Sequence, residues 1–138
     1  MRFLADTSAW VWAQRDLTAR GPFRERVASG EIAICAPVKL ELLSHARTGA
    51  EFDRRADELD ALPECPVGPV VWRRAVEVYR ALAHIGGGHQ RSVKHPDLLT
   101  AAAGEAAGLD VLHYDEDFDR IAAITGQPVT WLAQRGSL

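Results

Sequence analysis

The chain has few cysteines, few lysines and no surplus of positive charge. Its two cysteines, Cys35 and Cys65, are far apart and form no CxxC pair, so neither a zinc site nor a disulfide framework is predicted. Sixteen basic residues against nineteen acidic ones give a formal charge of −3, so no overall positive field is available to hold a polyanion. Any contact with nucleic acid must therefore come from a local patch.

A long apolar run is also missing. The N-terminal segment MRFLADTSAW reaches Asp6 after five residues, which argues against a signal peptide or a membrane anchor. We therefore expect a cytoplasmic protein with no membrane contact. The 138 residues are 47% hydrophobic and 25% charged, a typical globular composition. Because no repeat or linker divides the chain, we expect one domain over residues 1–138.

Short apolar runs alternate with segments of helical composition. Strands are predicted at 2–5, 32–36, 110–114 and 128–132, and helices at 9–14, 23–29, 38–47, 50–62, 70–85, 97–108 and 116–126. This alternation predicts an α/β fold with a central, mainly parallel sheet of four to five strands. In such sheets, functional groups collect beyond the carboxyl ends of the strands.

Four acidic residues are predicted to lie near that edge of the sheet. Asp6 and Asp115 directly follow predicted strands, and Glu41 and Asp97 are expected in the first turns of helices. Such acids repel one another unless a cation neutralises them, and oxygen ligands suit Mg²⁺ or Mn²⁺. A divalent ion of this kind promotes attack on a phosphodiester. The pattern therefore predicts metal-assisted hydrolysis of a phosphodiester bond.

The motifs around these acids resemble those of the PIN-domain VapC toxins. They are Asp6-Thr7-Ser8-Ala9 after an apolar strand, Glu41-Leu42 at a helix start, Pro96-Asp97-Leu98-Leu99 followed by three alanines, and Tyr114-Asp115-Glu116-Asp117-Phe118-Asp119. Each motif is weak alone, but the four in this order form a specific signal. The resemblance covers nearly the whole chain.

The resemblance implies a single PIN domain over residues 1–138, with a three-layer α/β/α fold. In the family, the residues that match Asp6, Glu41, Asp97 and Asp115 form the catalytic site and support a water that cuts RNA. The implied cofactor is Mg²⁺, with Mn²⁺ as an alternative. Metal ligation is implied for Asp6, Asp97 and Asp115, and for Asp117, which matches a further acidic position used by some members.

Two hydroxyl groups belong to the same implied site. The side chains of Thr7 and Ser8 are expected to orient a carboxylate or a water. Many relatives have a threonine directly before the fourth acid, where this chain has Tyr114 after His113. The small hydroxyl contact of that threonine is therefore not expected here.

The resemblance also implies a biological setting. It is a type II toxin–antitoxin system, in which a VapB-like antitoxin blocks the acidic cleft and so silences cleavage of tRNA or rRNA. RNA cleavage by the free toxin would inhibit translation. The usual state in the family is a homodimer, which is joined to the antitoxin in larger assemblies.

Purely structural explanations compete with these assignments. Asp6, Asp115 and Asp117 are also good helix caps, although Thr7 and Ser8 offer capping oxygens of their own. The run from His89 to His95 is either a solvated loop or a phosphate-binding patch. We favour the patch, with Arg91 and Lys94 as RNA contacts, because cations beside an acidic site counter substrate repulsion. Trp10 and Trp12 cannot both enter one core, so one of them is expected either at an interface, with a second copy or with an antitoxin segment, or in simple partial burial.

Three other functions use similar features. A receiver-type signalling domain needs an aspartate after a middle strand and a lysine after a late one, and here the middle strand runs into Ala36-Pro37. A haloacid-dehalogenase-like phosphatase needs Asp-x-Asp after the first strand, where this chain has Asp6-Thr7-Ser8. A catalytically inactive binding module of the same fold would not need all four acids.

Overall fold

Four short strands form the centre of the fold, and helices connect them. The structure is a computed structural model that describes residues 1–138. The elements are β1 (Phe3–Ala5), α1 (Thr7–Arg15), α2 (Leu17–Ala28), β2 (Ile32–Ala33), α3 (Ala36–Leu43), α4 (Gly49–Asp60), α5 (Pro69–Ile85), α6 (His89–Ser92), α7 (His95–Ala107), β3 (Asp110–His113), α8 (Asp117–Thr125) and β4 (Val129–Trp131). No helix combines the length and the apolar character that a membrane-spanning segment needs.

The sheet is entirely parallel, with the strand order β2-β1-β3-β4. Leu4 lies between Ala33 and Val111 in register, and His113 lies opposite Trp131. Because the strands are parallel, all four carboxyl ends meet at one edge. The residues that follow β1 and β3 therefore share that edge.

Successive side chains of β1 point to opposite faces of the sheet and enter different cores. Phe3 packs with Ala9 and Ala13 of α1 and with Phe23 of α2. Leu4 packs in the larger core with residues of α3, α5, α7 and α8. The helices thus cover both faces, which confirms the predicted α/β/α architecture and the mainly parallel sheet of four strands.

Helix α7 lies against the sheet and is buried from Asp97 to Gly104. Its small residues allow this close approach. A Cβ atom on Gly104 would lie 2.8 Å from Cγ2 of Val111 in β3, so any larger residue here would force the helix and the strand apart. This close packing fixes the position of α7 against the sheet. Asp97, in the first turn of α7, therefore lies near the carboxyl edge.

Several element boundaries differ from the sequence-based expectation. Helix α2 begins at Leu17 and contains Pro22, because Asp16 caps its first turn by accepting from the Ala19 N–H at 2.8 Å. Helix α3 begins at Ala36, with Pro37 in its first turn. Glu41 therefore lies in the second turn of α3, and the expectation of a first-turn position was wrong.

Candidate active site

Asp6 follows β1 and is the N-cap of α1. Its Oδ1 accepts a hydrogen bond from the backbone N–H of Ala9 at 3.1 Å, and the residue is only 3% exposed. The idea that Thr7 and Ser8 provide the cap was wrong, because both hydroxyls are used elsewhere. Burial raises the pKa of Asp6 from 3.8 to about 7, although the hydrogen bonds from Ser8 and Ala9 oppose the shift. The carboxylate is therefore costly to ionise where it lies.

Two hydroxyl groups hold carboxylates of neighbouring elements. Ser8 Oγ donates to Asp6, at 2.7 Å from Oδ1 and 2.9 Å from Oδ2, and accepts from the backbone N–H of Tyr114 at 2.8 Å. Thr7 Oγ1 donates to Glu41 Oε1 at 2.8 Å. The first turn of α1 is thereby connected to the end of β3 and to α3.

Among the acids at this edge of the sheet, Asp97 has the most strongly raised pKa. It lies in the first turn of α7, is 7% exposed, and its buried Oδ2 has no hydrogen-bond partner. Burial first, and then the negative charges of neighbouring acids, raise the pKa of Asp97 from 3.8 to about 8. Those charges belong to Asp6, Asp115, Glu41 and Asp117. A buried oxygen without a partner is costly, so this position favours a ligand with positive charge.

Asp115 and Asp117 complete the group. Asp115 Oδ1 accepts from the backbone N–H of Asp117 at 2.9 Å, and Asp117 Oδ1 accepts from Arg120 Nη1 at 2.5 Å. Burial, together with the charge of Asp115, raises the pKa of Asp117, and Arg120 opposes the shift. One carboxylate oxygen from each of Asp97, Asp115 and Asp117 lies within 4.8 Å of the other two.

Asp6 and Glu41 are close enough for their charges to raise the pKa of Asp97, so the structure brings together all five acids that the sequence suggested. We call them the acidic cluster: Asp6, Glu41, Asp97, Asp115 and Asp117. Their oxygens are hard ligands, and the cluster contains no thiolate or imidazole. A divalent cation of the Mg²⁺ class fits the cluster, because it would satisfy the unpaired Oδ2 of Asp97 and offset the mutual repulsion.

The model of the PIN-domain family matches residues 3–124 of the chain. The chain belongs to the PIN-domain family. Its sequence is 49% identical to Ribonuclease VapC18 of Mycobacterium tuberculosis, over the full length of both proteins. It is 39% identical to Ribonuclease VapC51 of the same organism, over 100% of this chain and 98% of the relative. This PIN domain thus groups with VapC proteins, as its motifs predicted.

Solved structures of VapBC complexes share the fold of this PIN domain. DNA-bound VapBC from Salmonella typhimurium aligns with a TM-score of 0.72 and 17% identity, covering 96% of this chain and 99% of the matched chain. VapBC-1 from nontypeable Haemophilus influenzae aligns with a TM-score of 0.74 and 14% identity, covering 96% and 98%. At such low identity these alignments establish the fold alone.

His113 is a residue of this PIN domain that the sequence analysis did not select. It is fully buried, and its Nδ1 accepts a hydrogen bond from the backbone N–H of Asp115 at 3.2 Å. Burial lowers the pKa of His113, so the ring stays neutral and can accept at Nδ1. Phe118 and Trp131 contact the ring. Nothing in the sequence signals that His113 would bind the backbone next to the site, because no acid or cysteine motif accompanies it.

The predicted basic patch directly precedes the N-terminus of α7 in this PIN domain. Residues His89–Ser92 form the short helix α6 instead of an open loop, and Arg91 is exposed. Lys94 is also exposed and is the N-cap residue of α7, where its carbonyl accepts from the Asp97 N–H at 3.1 Å. Both cations are therefore close in sequence to the acidic cluster and open to solvent.

Proposed function

We propose that the chain is a metal-dependent endoribonuclease toxin, with Asp6, Glu41, Asp97 and Asp115 as its catalytic residues. The observation that carries the proposal is the buried, unpaired Oδ2 of Asp97, in a residue that has a carboxylate oxygen within 4.8 Å of one from Asp115 and one from Asp117. The full-length similarity to proteins named VapC ribonucleases supports the reaction class.

The donor set favours Mg²⁺, with Mn²⁺ as an alternative, because both accept oxygen ligands in an octahedral shell. Asp97, Asp115 and Asp117 would hold the ion, and Asp6 would add charge beside them. When bound, the ion supplies a Lewis acid and a positive charge at the scissile phosphate. All the proposed ligands of the ion are carboxylates. The ion pair with Arg120 partly neutralises the charge of Asp117.

The remaining steps use groups of the chain itself. Ser8 orients Asp6, and Thr7 fixes Glu41 through the 2.8 Å hydrogen bond to its Oε1. We assign to Glu41 the acceptance of a proton from the attacking water, because it is partly exposed and held by a neutral hydroxyl. Arg91 and Lys94 would contact phosphates of the RNA and reduce its repulsion by the acidic cluster.

The proposed substrate is a structured cellular RNA, either tRNA or rRNA, and its cleavage would stop translation. The proposed partner is a VapB-like antitoxin that covers the acidic cluster. The structural neighbours include VapBC complexes, which supports a partner of this kind. We also propose a homodimer as the state of the toxin.

Cleavage of total RNA in Mg²⁺ tests the proposal, with RNA ends sequenced after induced expression. Wild type should produce defined new ends, and Asp6→Asn or Asp97→Asn should remove them. Asp53→Asn is the matched control, because Asp53 is an exposed aspartate on α4. Cleavage that persists in EDTA or in the Asp97→Asn variant would contradict the proposal. A wild type that binds RNA without cutting it would instead be an inactive binding module.

A further inference from the structure

Three aromatic side chains form a continuous row at the carboxyl edge of the sheet. The ring of Tyr114 lies between those of Trp12 and Trp131, with centroids 5.4 Å away on each side. The interplanar angles are 64° and 89°, so the contacts are edge-to-face. All three residues are partly exposed. We call Trp12, Tyr114 and Trp131 the aromatic row.

The middle residue of the row adjoins the acidic cluster. Tyr114 directly precedes Asp115, and its backbone N–H donates to the same Ser8 oxygen that binds Asp6. Trp12 lies one helical turn after Ser8 on α1, and residues four apart share a face of a helix. A strand whose phosphate enters the cluster can therefore pass over this row.

Arginine side chains lie at both ends of the row. The guanidinium of Arg15 is 5.8 Å from the ring centre of Trp12, and that of Arg135 is 5.6 Å from Trp131. Arg135 is paired with Glu116, but no ion pair of the structure includes Arg15. Arg15 is thus a cation without an ion-pair partner, and it lies over the partly exposed ring of Trp12 in a chain of net negative charge.

Packing alone does not account for Trp12. The nearby Trp10 does pack in the interior: its ring centroid lies 4.9 Å from that of Phe23, and its side chain contacts both apolar cores. Trp12 belongs to neither core cluster and faces Tyr114 and Arg15 at the surface. Exposed aromatic rings beside arginine are the side chains on which proteins stack single-stranded bases.

We propose that the aromatic row is a base-stacking subsite for the RNA strand next to the scissile phosphate, with Arg15 as its phosphate contact. This inference rests on the proposed ribonuclease function. The ligand is an unpaired nucleotide, because only a base released from a helix exposes its face to a ring. The subsite would hold the strand by stacking and thus tolerate several bases.

The first test measures binding of a single-stranded RNA of about 12 nucleotides, a length within the usual range of single-strand binding sites. All proteins carry Asp97→Asn to prevent cleavage. Trp12→Leu should weaken binding roughly tenfold, as expected for the loss of one stacked base. Trp72→Leu is the matched control, since Trp72 is 55% exposed on α5 and lies outside the row. It should leave the affinity unchanged.

An abasic scan separates stacking from a structural role of Trp12. In the parent protein, removal of one base next to the cleavage position should weaken binding roughly tenfold. In the Trp12→Leu variant the same removal should have no further effect, because the stacking partner is already gone. Independent losses that add together would overturn the proposal.

Arg15→Gln provides a variant that does not threaten folding, because Arg15 is exposed, forms no ion pair and lies over the ring of Trp12. It should weaken RNA binding and reduce the dependence of log Kd on log salt by about one. Arg73→Gln, on the exposed face of α5, is its control. An unchanged salt dependence would overturn the assignment of Arg15.

The outcomes distinguish this inference from the proposed function. If RNA is cut normally while Trp12→Leu and Arg15→Gln bind it like the parent, the subsite is wrong and the ribonuclease proposal stands. If Trp12→Leu keeps RNA binding but escapes neutralisation by a co-expressed antitoxin, the row is a protein interface and the inference is also wrong. If wild type neither binds nor cuts RNA, both fail.

Discussion

Replacement of Asp97 by asparagine should stabilise the metal-free protein while it abolishes activity. The two side chains have the same shape, but asparagine has no charge to bury. Asp97 is 7% exposed and faces other carboxylates, so its ionised form is costly in the folded state. The amide of an asparagine can donate to those carboxylates, which removes the unsatisfied Oδ2 as well.

The size of the effect follows from the raised pKa. A shift from 3.8 to about 8 corresponds to at most about 6 kcal/mol, at about 1.4 kcal/mol per pKa unit. The shift is shared among coupled acids and water enters such a site, so we expect on the order of 2 kcal/mol. For a domain of this size that corresponds to a rise in Tm of roughly 6–10 °C.

The pH dependence has a definite sign. Between the unfolded pKa near 3.8 and the folded pKa near 8, the folded state holds a proton that the unfolded state has released. The metal-free wild type therefore loses stability as the pH rises through this range. Asp6, whose pKa is raised to about 7, acts in the same direction. The gain from Asp97→Asn should be small near pH 4 and largest near pH 8.

Thermal unfolding in EDTA, followed by circular dichroism at several pH values, measures the effect. Asp53→Asn, at an exposed position of α4, controls for the loss of one negative charge. An Asp97→Asn variant with an unchanged or lower Tm near pH 8 would refute the reasoning. It would mean that Asp97 is not held in a costly ionised state without metal.

Three further predictions follow from the same structure. Mg²⁺ should raise the Tm of wild type more near pH 8 than near pH 5, because the ion competes with protons for the carboxylates; an equal rise at both pH values would count against this. Ser8→Ala should reduce kcat by roughly tenfold or more with little change in KM, because Asp6 loses its 2.7 Å hydrogen bond; a change in KM alone would argue otherwise. Gly104→Ala should lower the free energy of unfolding by roughly 1–3 kcal/mol through overpacking against Val111, 2.8 Å from the new methyl group. In urea denaturation, Val111→Ala should recover part of that loss, and additive losses would show that the contact is not the cause.

Much of the fold was predictable because local signals agree with the tertiary arrangement. Pro96 and Gly108 bracket α7, and the apolar run after Gly108 is β3, as expected. The boundaries of α2 and α3 were missed. The second helix was predicted only from residue 23, after Gly21-Pro22, whereas the cap at Asp16 starts it at Leu17 and it continues through Pro22.

The positions of the acids were predictable from the parallel sheet, but their contacts were not. Asp6 and Asp115 were each predicted to follow a strand, and the structure shows that these two strands pair with each other. The roles of His113, Trp12 and Trp131 depend on side chains that meet only after folding. A buried imidazole that binds a backbone N–H leaves no periodic pattern to detect.

Calorimetric titration of the metal-free protein with Mg²⁺ near pH 7 tests the central claim most directly, in buffers of different ionisation enthalpy. Because burial and mutual repulsion keep Asp97, and in part Asp6, protonated at this pH, binding should release about one proton or more per ion. Asp97→Asn should lose both the binding and the proton release. Failure of wild type to bind Mg²⁺, or binding without proton release, would contradict a site in which the cation keeps the converging carboxylates ionised.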